Sequence, residues 1–170
     1  MEQVILVNEK DEATGTMEKM EAHRKGLLHR AFSVFIFNSK GEMLLQQRSY
    51  KKYHSGGLWT NACCSHPRPD ETTLAAAERR LQEEMGITTP LNELFHFIYK
   101  ARFDNGLTEH ELDHVLIGNY DGKISVDKNE VADYCFKSTE KIQQALQTNA
   151  NDYTVWFAIA FPLLLKEMKK

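Results

Sequence analysis

Two adjacent cysteines and a nearby histidine form the chemically most reactive group of side chains in the chain. Cys64 lies two residues before His66 in the segment TNACCSHP. If this segment is extended, both side chains point to the same face. A thiol held beside a metal-bound imidazole and a carboxylate could exchange protons near neutral pH. The alternative is that Cys63 and Cys64 are small buried apolar residues, the usual state of an intracellular cysteine; Cys135 is interpreted in that way.

A short acidic segment, EHELD, occurs in the second half of the chain. In a strand, Glu109, Glu111 and Asp113 would project from one face. Close carboxylates repel one another unless a cation or a raised pKa relieves the charge, so this face could hold a metal ion. The alternative is a solvent-facing acidic edge strand. His110 and His114 would lie on the opposite face and are interpreted as structural or surface histidines.

Two further histidines, His23 and His29, lie in the segment EAHRKGLLHRAF. Their spacing matches no simple pair on one helix face. Each one, taken singly, is interpreted as an ordinary, partly exposed histidine. They form a metal site only if the fold brings them to Glu109 and Glu111. His66 is interpreted in the same way when it is taken singly.

Basic side chains are candidates for binding an anion. They are Lys19, Arg48, Lys51, Lys52, Arg79 and Arg80. Most exposed lysines and arginines only add solubility. The run RSYKK, however, comes shortly before the Gly-Gly-Leu-Trp turn, and its charges could bind phosphate.

These side chains need a scaffold, and the hydrophobic pattern predicts strands and helices. The clearest helix is Thr72–Met85, where apolar residues recur at helical spacing and Gly86 follows. Later helices are expected at Thr139–Gln147 and at Tyr153–Lys169, the second kinked or restarted at Pro162. Strands are predicted at Val4–Val7 (an edge strand), Ala31–Asn38 and Glu42–Gln47 (a hairpin), Trp59–Cys64, Leu94–Arg102 and Glu109–Tyr120, with an exposed loop and some helix at Lys10–Lys25. The pattern predicts an α+β domain, with helices packed on a mainly antiparallel or mixed sheet.

Composition and charge narrow the class of protein. The 170 residues suit one domain, and 21 basic against 24 acidic residues give a formal net charge of -3. This balance predicts no nucleic acid and no membrane surface as partner. Three cysteines cannot form an even disulfide framework, and Met1–Glu12 shows no secretory leader, so a reducing cytoplasm is expected. The longest apolar run, Val155–Leu165, is too short to span a bilayer.

The helix at Thr72–Met85 and its flanks resemble the Nudix box in spacing. Such a helix projects carboxylates at adjacent turns toward divalent cations bound to a diphosphate. The matching positions are Ser65, Glu71, Arg79-Arg80-Leu81, Glu83-Glu84 and Gly86-Ile87. Ser65 replaces a glycine of the box, and Arg80 replaces the first glutamate of its core. The loss of that carboxylate argues against a pyrophosphohydrolase, whereas Glu84 can still hold one Mg²⁺ on a diphosphate.

Most of the chain, from about Val4 to Leu165, resembles the type 1 isopentenyl-diphosphate delta-isomerase family of the Nudix superfamily. The resemblance is carried by LLHRAFSVFIFNSKGEMLLQQRSYKKYHSGGLWTNACCSHP, by EHE and by a late aromatic stretch with Trp156. It implies a single compact domain over residues 1–170, with a Nudix-type core at about 30–165 in which a mixed sheet is sandwiched between helices. It also implies an isomerase that interconverts isopentenyl and dimethylallyl diphosphates through a tertiary carbocation.

The same resemblance implies a role for each matching residue. The catalytic residues would be Cys64 and Glu111, on opposite sides of the five-carbon unit, and Tyr99, which would hydrogen-bond Glu111. The metal ligands would be His23, His29, His66, Glu109 and Glu111 for one Mn²⁺, Mg²⁺ or Zn²⁺, and Glu84 for a second Mg²⁺ on the diphosphate near Cys64. The substrate-binding residues would be Lys19, Arg48, Lys52 and Arg80 for the diphosphate and Trp156 for the hydrocarbon tail. The segment from His23 to His29 is one residue shorter than in the commonest version of the family.

Two other functions remain open at this point. A Nudix pyrophosphohydrolase acting on a nucleoside diphosphate derivative would release phosphate or a nucleoside monophosphate, and it would leave Cys64 and the histidines unused. A non-catalytic binding module would be expected to have lost its polar pocket. The isomerase interpretation predicts a small-molecule diphosphate as partner and is compatible with a monomer.

Overall fold

A computed structural model describes residues 1–170 and shows nine strands and four α-helices. The strands are β1 (Gln3–Val7), β2 (Ala13–Glu18), β3 (His29–Phe37), β4 (Met43–Arg48), β5 (Trp59–Thr60), β6 (Cys63–Ser65), β7 (Asn92–Arg102), β8 (Thr108–Asn119) and β9 (Val131–Lys137). The helices are α1 (Lys19–Lys25), α2 (Thr73–Met85), α3 (Thr139–Thr148) and α4 (Val155–Met168). None of them has the length and apolar character needed to cross a bilayer.

β3 is the centre of the sheet, and all but one of its side chains are buried. It pairs in parallel with β8 along its whole length, from His29 opposite Glu111 to Phe37 opposite Asn119. Its other edge pairs antiparallel with β1, β4 and β6. Antiparallel pairing of β7 with β8 and of β9 with β4 completes the mixed sheet. The strands that carry Cys64 and Glu111 therefore lie on either side of β3.

Helices cover both faces of this sheet, because the side chains of β3 alternate between two cores. Phe32, Val34 and Ile36 belong to the core that includes Leu81 and Met85 of α2. Phe35 and Phe37 belong to the other core, with Ile142 of α3 and Phe157, Phe161 and Leu164 of α4. Burial of each such side chain contributes about 1.5–3 kcal/mol. The expected α+β fold, with a mixed sheet between helices, is confirmed.

The helix α2 forms where the sequence predicts it because both of its ends are capped. The Thr72 hydroxyl accepts a hydrogen bond from the backbone N–H of Ala75 at 3.1 Å, which satisfies one of the free donors of the first turn. Gly86 ends the helix with φ of 66°, and its N–H donates to the carbonyl of Gln82. A left-handed residue at this position favours glycine.

The N-terminal part of the fold differs from the sequence prediction. The Lys10–Lys25 segment, expected to be a loop with some helix, contains a complete strand, β2, before α1. Because β2 pairs with β1 and β1 also touches β3, the edge of the sheet is β2 and the prediction of β1 as the edge strand is wrong. The strand β2 is exposed along most of its length and lacks an apolar face, so the hydrophobic pattern gives no signal for it.

Other strands differ in extent or partner. The predicted hairpin of β3 and β4 meets at one register pair, Phe37 with Met43, because β6 pairs with the same edge of β3 from Phe32 to Val34. The predicted strand Trp59–Cys64 is two short strands, β5 and β6, which pair with different neighbours. The strand β9 was not predicted, and its segment VADYCFK places Cys135 half-buried against the second core.

The last helix, α4, runs through Pro162 as one element and does not restart there. A proline inside a helix removes one backbone hydrogen bond and costs about 3 kcal/mol. Burial of Phe157, Phe161 and Leu164 in the second core offsets that cost. The continuous helix carries Trp156 at its first turn, toward the reactive residues.

Candidate active site

The face of the sheet that carries α4 also carries the reactive residues. Cys64 on β6 lies opposite Ser33 of β3, and Glu111 on β8 lies opposite His29 of the same strand. Cys64, His66 and Glu111 line a small cavity of about 40 Å³ together with Trp156 of α4. Cys64 and Glu111, the residues expected to be catalytic, thus come from strands on opposite sides of β3.

The residues expected to bind a metal converge beside this cavity. The Nε2 atoms of His66 and His29 lie 2.6 Å and 3.3 Å from Oε2 of Glu111. Nε2 of His23 lies 3.8 Å from Oε1 of Glu109, so the shortened segment between His23 and His29 does not keep them apart. Ligand atoms of His23, His29, His66 and Glu111 all lie within 4.8 Å of one another. The structure therefore holds a buried His/Glu group that could bind a metal ion.

Hydrogen bonds to backbone carbonyls orient two of the imidazole rings so that Nε2 of each faces the carboxylates. Nδ1 of His23 donates to the carbonyl of Lys19 at 2.6 Å, and Nδ1 of His29 donates to the carbonyl of Leu27 at 2.9 Å. With the proton on Nδ1, each Nε2 presents its lone pair to the carboxylates. Both Nε2 atoms are buried and have no hydrogen-bond partner. Unpartnered nitrogen lone pairs facing carboxylates fit a divalent cation.

A fourth histidine, His54, belongs to this centre and was assigned no role from the sequence. It lies in the loop between β4 and β5, and its Nε2 is 2.7 Å from Oε1 of Glu109. Its ring stacks on Phe103 at 4.5 Å between centroids with an angle of 8°. Nδ1 lies 3.1 Å from the hydroxyl of Ser55. The one signal in the sequence was its position two residues after the basic run RSYKK, which ends at Lys52.

Both carboxylates of the centre are ionised, and Tyr99 lies between them. Its hydroxyl is 2.6 Å from Oε2 of Glu109 and in hydrogen-bond contact with Glu111. Burial alone would raise the pKa of Glu111, but the neighbouring imidazoles of His29 and His66 hold it well below its ordinary value. Burial and the two nearby carboxylates raise the pKa of Tyr99, so the phenol keeps its proton.

Asp113 shares the strand face of the two glutamates but lies outside the histidine group. Its Oδ2 accepts a hydrogen bond from the Ser33 hydroxyl at 2.8 Å. Burial and the charge of Glu111 raise its pKa well above the ordinary value. The predicted row of three carboxylates on one face is present, yet only two of them meet the imidazoles.

Cys64 is a protonated thiol held by three side chains. Its Sγ donates to Oδ1 of Asn61 at 3.0 Å and accepts from Nε1 of Trp156 at 3.1 Å, and the Ser33 hydroxyl lies at 3.6 Å. Burial, with the nearby charge of Asp113, raises its pKa to about 12 even though these hydrogen bonds oppose the shift. The expectation of a thiol that titrates near neutral pH is not met in this environment. The thiol is suited to hold a proton.

Cys63 points to the opposite face, because neighbouring residues of a strand alternate. Its thiol donates to Oε2 of Glu84 on α2 at 2.7 Å, and Nη2 of Arg80 lies 3.6 Å from the other oxygen of that carboxylate. Burial raises the pKa of Glu84, and the charge of Arg80 opposes the rise. Glu84 lines neither the cavity nor the cleft beside it, so the structure places this expected Mg²⁺ ligand behind Arg80.

A larger cleft of about 470 Å³ adjoins the cavity, and Arg48, Tyr53, Cys64, Ser65 and His66 line both. The residues expected to bind a diphosphate all line this cleft: Lys19, Arg48, Lys52 and Arg80. Carboxylates form ion pairs with several of these cations. Nζ of Lys19 lies 2.8 Å from Oε2 of Glu2, and Lys52 and Arg80 both form ion pairs with Glu130.

Arg48 lies at the junction of the cavity and the cleft. Its guanidinium carbon is 5.1 Å from the centroid of the Trp156 ring, within the range of a cation–π contact. Arg79, another basic residue that lines the cleft, forms a bidentate ion pair with Glu71 at 2.6 Å and 2.9 Å. The indole and the guanidinium of Arg48 thus mark the boundary between a small cavity and a basic cleft.

Comparison with known proteins shows the family of this chain. The family model of the NUDIX domain matches residues 27–157. The isopentenyl-diphosphate Delta-isomerase of Pectobacterium atrosepticum is 51% identical over 94% of this chain and 89% of its own length. The enzyme of the same name from Serratia proteamaculans is 48% identical over 92% and 87%.

Solved structures agree on the fold alone. DR0079 from Deinococcus radiodurans superposes with a TM-score of 0.73 at 19% identity, over 87% of this chain and 90% of its own. The MutT protein of Methanosarcina mazei superposes with a TM-score of 0.70 at 23% identity, over 84% and 96%. The identities to the two bacterial isomerases and the match to the NUDIX model show the family. The chain belongs to the isopentenyl-diphosphate Delta-isomerase family, which is built on a NUDIX domain.

Proposed function

We propose that this chain interconverts isopentenyl and dimethylallyl diphosphates by moving a proton onto one carbon and removing a proton from another. One observation carries the proposal: a protonated thiol, Cys64, and an ionised carboxylate, Glu111, line the same small cavity. The basic cleft that adjoins this cavity fits a diphosphate. An isoprenoid diphosphate has both parts, a five-carbon unit for the cavity and a charged head for the cleft.

The two groups serve as acid and base on opposite sides of the five-carbon unit. In the forward direction, the alkene electron pair takes the proton of Cys64 at the terminal carbon and leaves a tertiary cation. Glu111 then removes a proton from the carbon next to the diphosphate-bearing one, and that C–H electron pair becomes the new double bond. The proton gained by Glu111 equals the proton lost by Cys64, so the enzyme resets by proton exchange with water. Tyr99, in contact with Glu111, can carry that proton.

The thiolate left by the first step needs stabilisation, and Trp156 supplies it. The N–H of Trp156 already points at Sγ of Cys64 at 3.1 Å, and such a donor favours the charged form of the sulfur. The face of the indole contributes about 0.5–2 kcal/mol to a nearby cation. The cavity of about 40 Å³ holds few water molecules once the hydrocarbon enters. Exclusion of water protects the cation from capture.

The buried His/Glu group supports a divalent cation as cofactor. We propose that His23, His29, His66, Glu109 and Glu111 hold one Mn²⁺, Mg²⁺ or Zn²⁺, since nitrogen and oxygen ligands alone do not choose among them. A bound ion would supply positive charge that fixes the orientation of both carboxylates. A second Mg²⁺ on the diphosphate could use Glu84 only if Glu84 is freed from Cys63 and Arg80.

The redox state of the cysteines indicates the compartment in which the protein works. All three cysteines are free thiols, and Cys64 must stay reduced to hold its proton. These observations support a reducing cytoplasm as the location.

The test is to incubate the purified protein with isopentenyl diphosphate and Mg²⁺ and to measure acid-labile allylic diphosphate. We expect the allylic product and no inorganic phosphate. Release of phosphate without allylic product would instead support a Nudix pyrophosphohydrolase. The arginine at position 80, where a hydrolase has a carboxylate, disfavours that alternative; Arg80 pairs with Glu83 at 2.6 Å.

A further inference from the structure

We propose that a second metal site, separate from the active site, lies on the β7–β8 hairpin and is formed by Glu93, His96 and His114. His96 of β7 lies directly opposite His114 of β8 in the antiparallel register, and their ring centroids are 5.4 Å apart. One ligand atom from each of these residues lies within 4.8 Å of the other two. His114 is on the face of β8 opposite to Glu111, because it lies three positions further along the strand and successive side chains alternate.

The surroundings of His114 prepare one of its nitrogens for a metal ion. Nε2 lies 2.9 Å from Oδ2 of Asp11, and Arg30 holds that carboxylate by a 2.7 Å hydrogen bond to Oδ1. A carboxylate on one ring nitrogen is the usual partner of a histidine that binds a metal through the other nitrogen. Nδ1 of His114 faces Glu93 in direct contact. A cation bound between Nδ1 and the Glu93 carboxylate would replace this direct contact.

The composition and exposure of the site select the class of cation. Two imidazoles and one carboxylate suit Zn²⁺ or Cu²⁺, whereas Mg²⁺ prefers oxygen ligands. The Glu93 side chain is 45% exposed and His96 is exposed, but His114 is only 9% exposed. The exposed pair can move apart to admit an ion from solvent, and the buried imidazole gives the site a fixed anchor.

A cation at this site would tie the N-terminal hairpin to the rest of the sheet. Asp11 lies in the turn between β1 and β2 and has a φ of 62°. That hairpin meets β3 at one register pair, Leu6 with His29, and leads into α1, which carries His23. By fixing the Asp11–His114 contact, the cation would stabilise the segment that delivers His23 to the active site.

The experiment uses the intact enzyme, loaded with Zn²⁺ at its active site and kept in excess Mg²⁺. Further Zn²⁺ is titrated by calorimetry, and thermal unfolding is followed at each ratio. We expect one additional equivalent of Zn²⁺ and a higher melting temperature. Both variants His96→Ala and Glu93→Gln should weaken this second binding step at least tenfold. His110→Ala, which removes another histidine from the same strand face, should leave it unchanged.

These variants separate the site from adventitious binding and from the catalytic centre. His96 and Glu93 are exposed, so their replacement should leave folding and the first equivalent of Zn²⁺ intact. Absence of a second equivalent in the parent enzyme would overturn the proposal. A second equivalent that persists undiminished in both His96→Ala and Glu93→Gln would also overturn it. Neither result depends on whether the enzyme turns over isopentenyl diphosphate.

Discussion

Replacement of Cys64 by serine removes an acidic proton while leaving the shape of the cavity almost unchanged. A serine hydroxyl can still donate to Asn61 and accept from the indole N–H of Trp156, the two contacts that hold the thiol at 3.0 Å and 3.1 Å. The hydroxyl is a far weaker acid and its anion is far less stable. A positioned acid or base contributes about 10²–10⁴-fold to a rate, which corresponds to about 2.7–5.5 kcal/mol in the barrier.

The assay measures kcat and KM for formation of the allylic diphosphate from isopentenyl diphosphate, with thermal unfolding as a check on the fold. We expect kcat to fall by about 10²–10⁴-fold. KM should change little, because the cations of the cleft bind the diphosphate. The matched control is Cys63→Ser, at the neighbouring residue whose thiol points away to Glu84. It should lose about 1 kcal/mol of stability or less and keep kcat within a few-fold.

This pair of variants can refute the reasoning in two ways. If Cys64→Ser turns over within tenfold of the parent enzyme, the thiol is not the acid. If Cys63→Ser loses as much activity as Cys64→Ser while remaining folded, the direction in which each thiol points from the strand does not determine which cysteine is the acid.

Two other predictions concern metal binding and stability. His54→Ala should weaken binding of Mn²⁺ or Zn²⁺ about 10–100-fold in an equilibrium titration, because the imidazole that orients Glu109 at 2.7 Å is lost; an affinity equal to that of a His110→Ala control would contradict this. Glu71→Gln should lower the free energy of unfolding at pH 7 by about 1 kcal/mol or less, since the ion pair with Arg79 is partly exposed. The Arg79 hydrogen bond lowers the pKa of Glu71 to about 2 from an ordinary value of 4.5, so the stabilisation is present above pH 4.5 and is lost as pH falls toward 2. Unfolding curves at several pH values test this, and a difference that grows as pH falls would be inconsistent with it.

The parts of the fold that could be predicted are those whose local sequence carries its own signal. The helix α2 has a threonine N-cap, an apolar stripe and a glycine at its end, and the structure confirms it. The strand β8 was predicted at nearly its observed bounds, and its alternation correctly placed Glu109 and Glu111 on one face. The same alternation rule correctly separates Cys63 from Cys64.

The missed parts depend on partners far away in the sequence. The strand β2 is stabilised by backbone pairing to β1 and has no apolar face. The parallel pairing of β3 with β8 joins segments about 80 residues apart, as His29 with Glu111 shows. The local sequence pattern indicates only the nearer partner of β3, which is β4. His54 enters the metal centre only because its loop folds back over Glu109. No local spacing encodes that contact.

The raised pKa of Cys64 has the same origin. Its neighbours in the sequence do not show that Asp113, Ser33 and Trp156 will surround the sulfur, since each comes from a different part of the chain. The sequence therefore predicts Cys64 as the reactive cysteine, through its relation to His66 and the family resemblance, but it does not predict the protonation state of the thiol. Burial and the charge of Asp113 raise the pKa, and they outweigh the opposing hydrogen bonds from Ser33 and Trp156.

The central claim is that this enzyme adds a proton to carbon, and isomerisation in deuterium oxide tests it most directly. The parent enzyme, equilibrated in deuterium oxide with Mg²⁺, is given isopentenyl diphosphate, and the early product is analysed by proton and deuterium NMR. Since Cys64 exchanges its proton with solvent, we predict dimethylallyl diphosphate with deuterium in a methyl group. Allylic product free of deuterium at every time point, or phosphate release in place of isomerisation, would contradict the account.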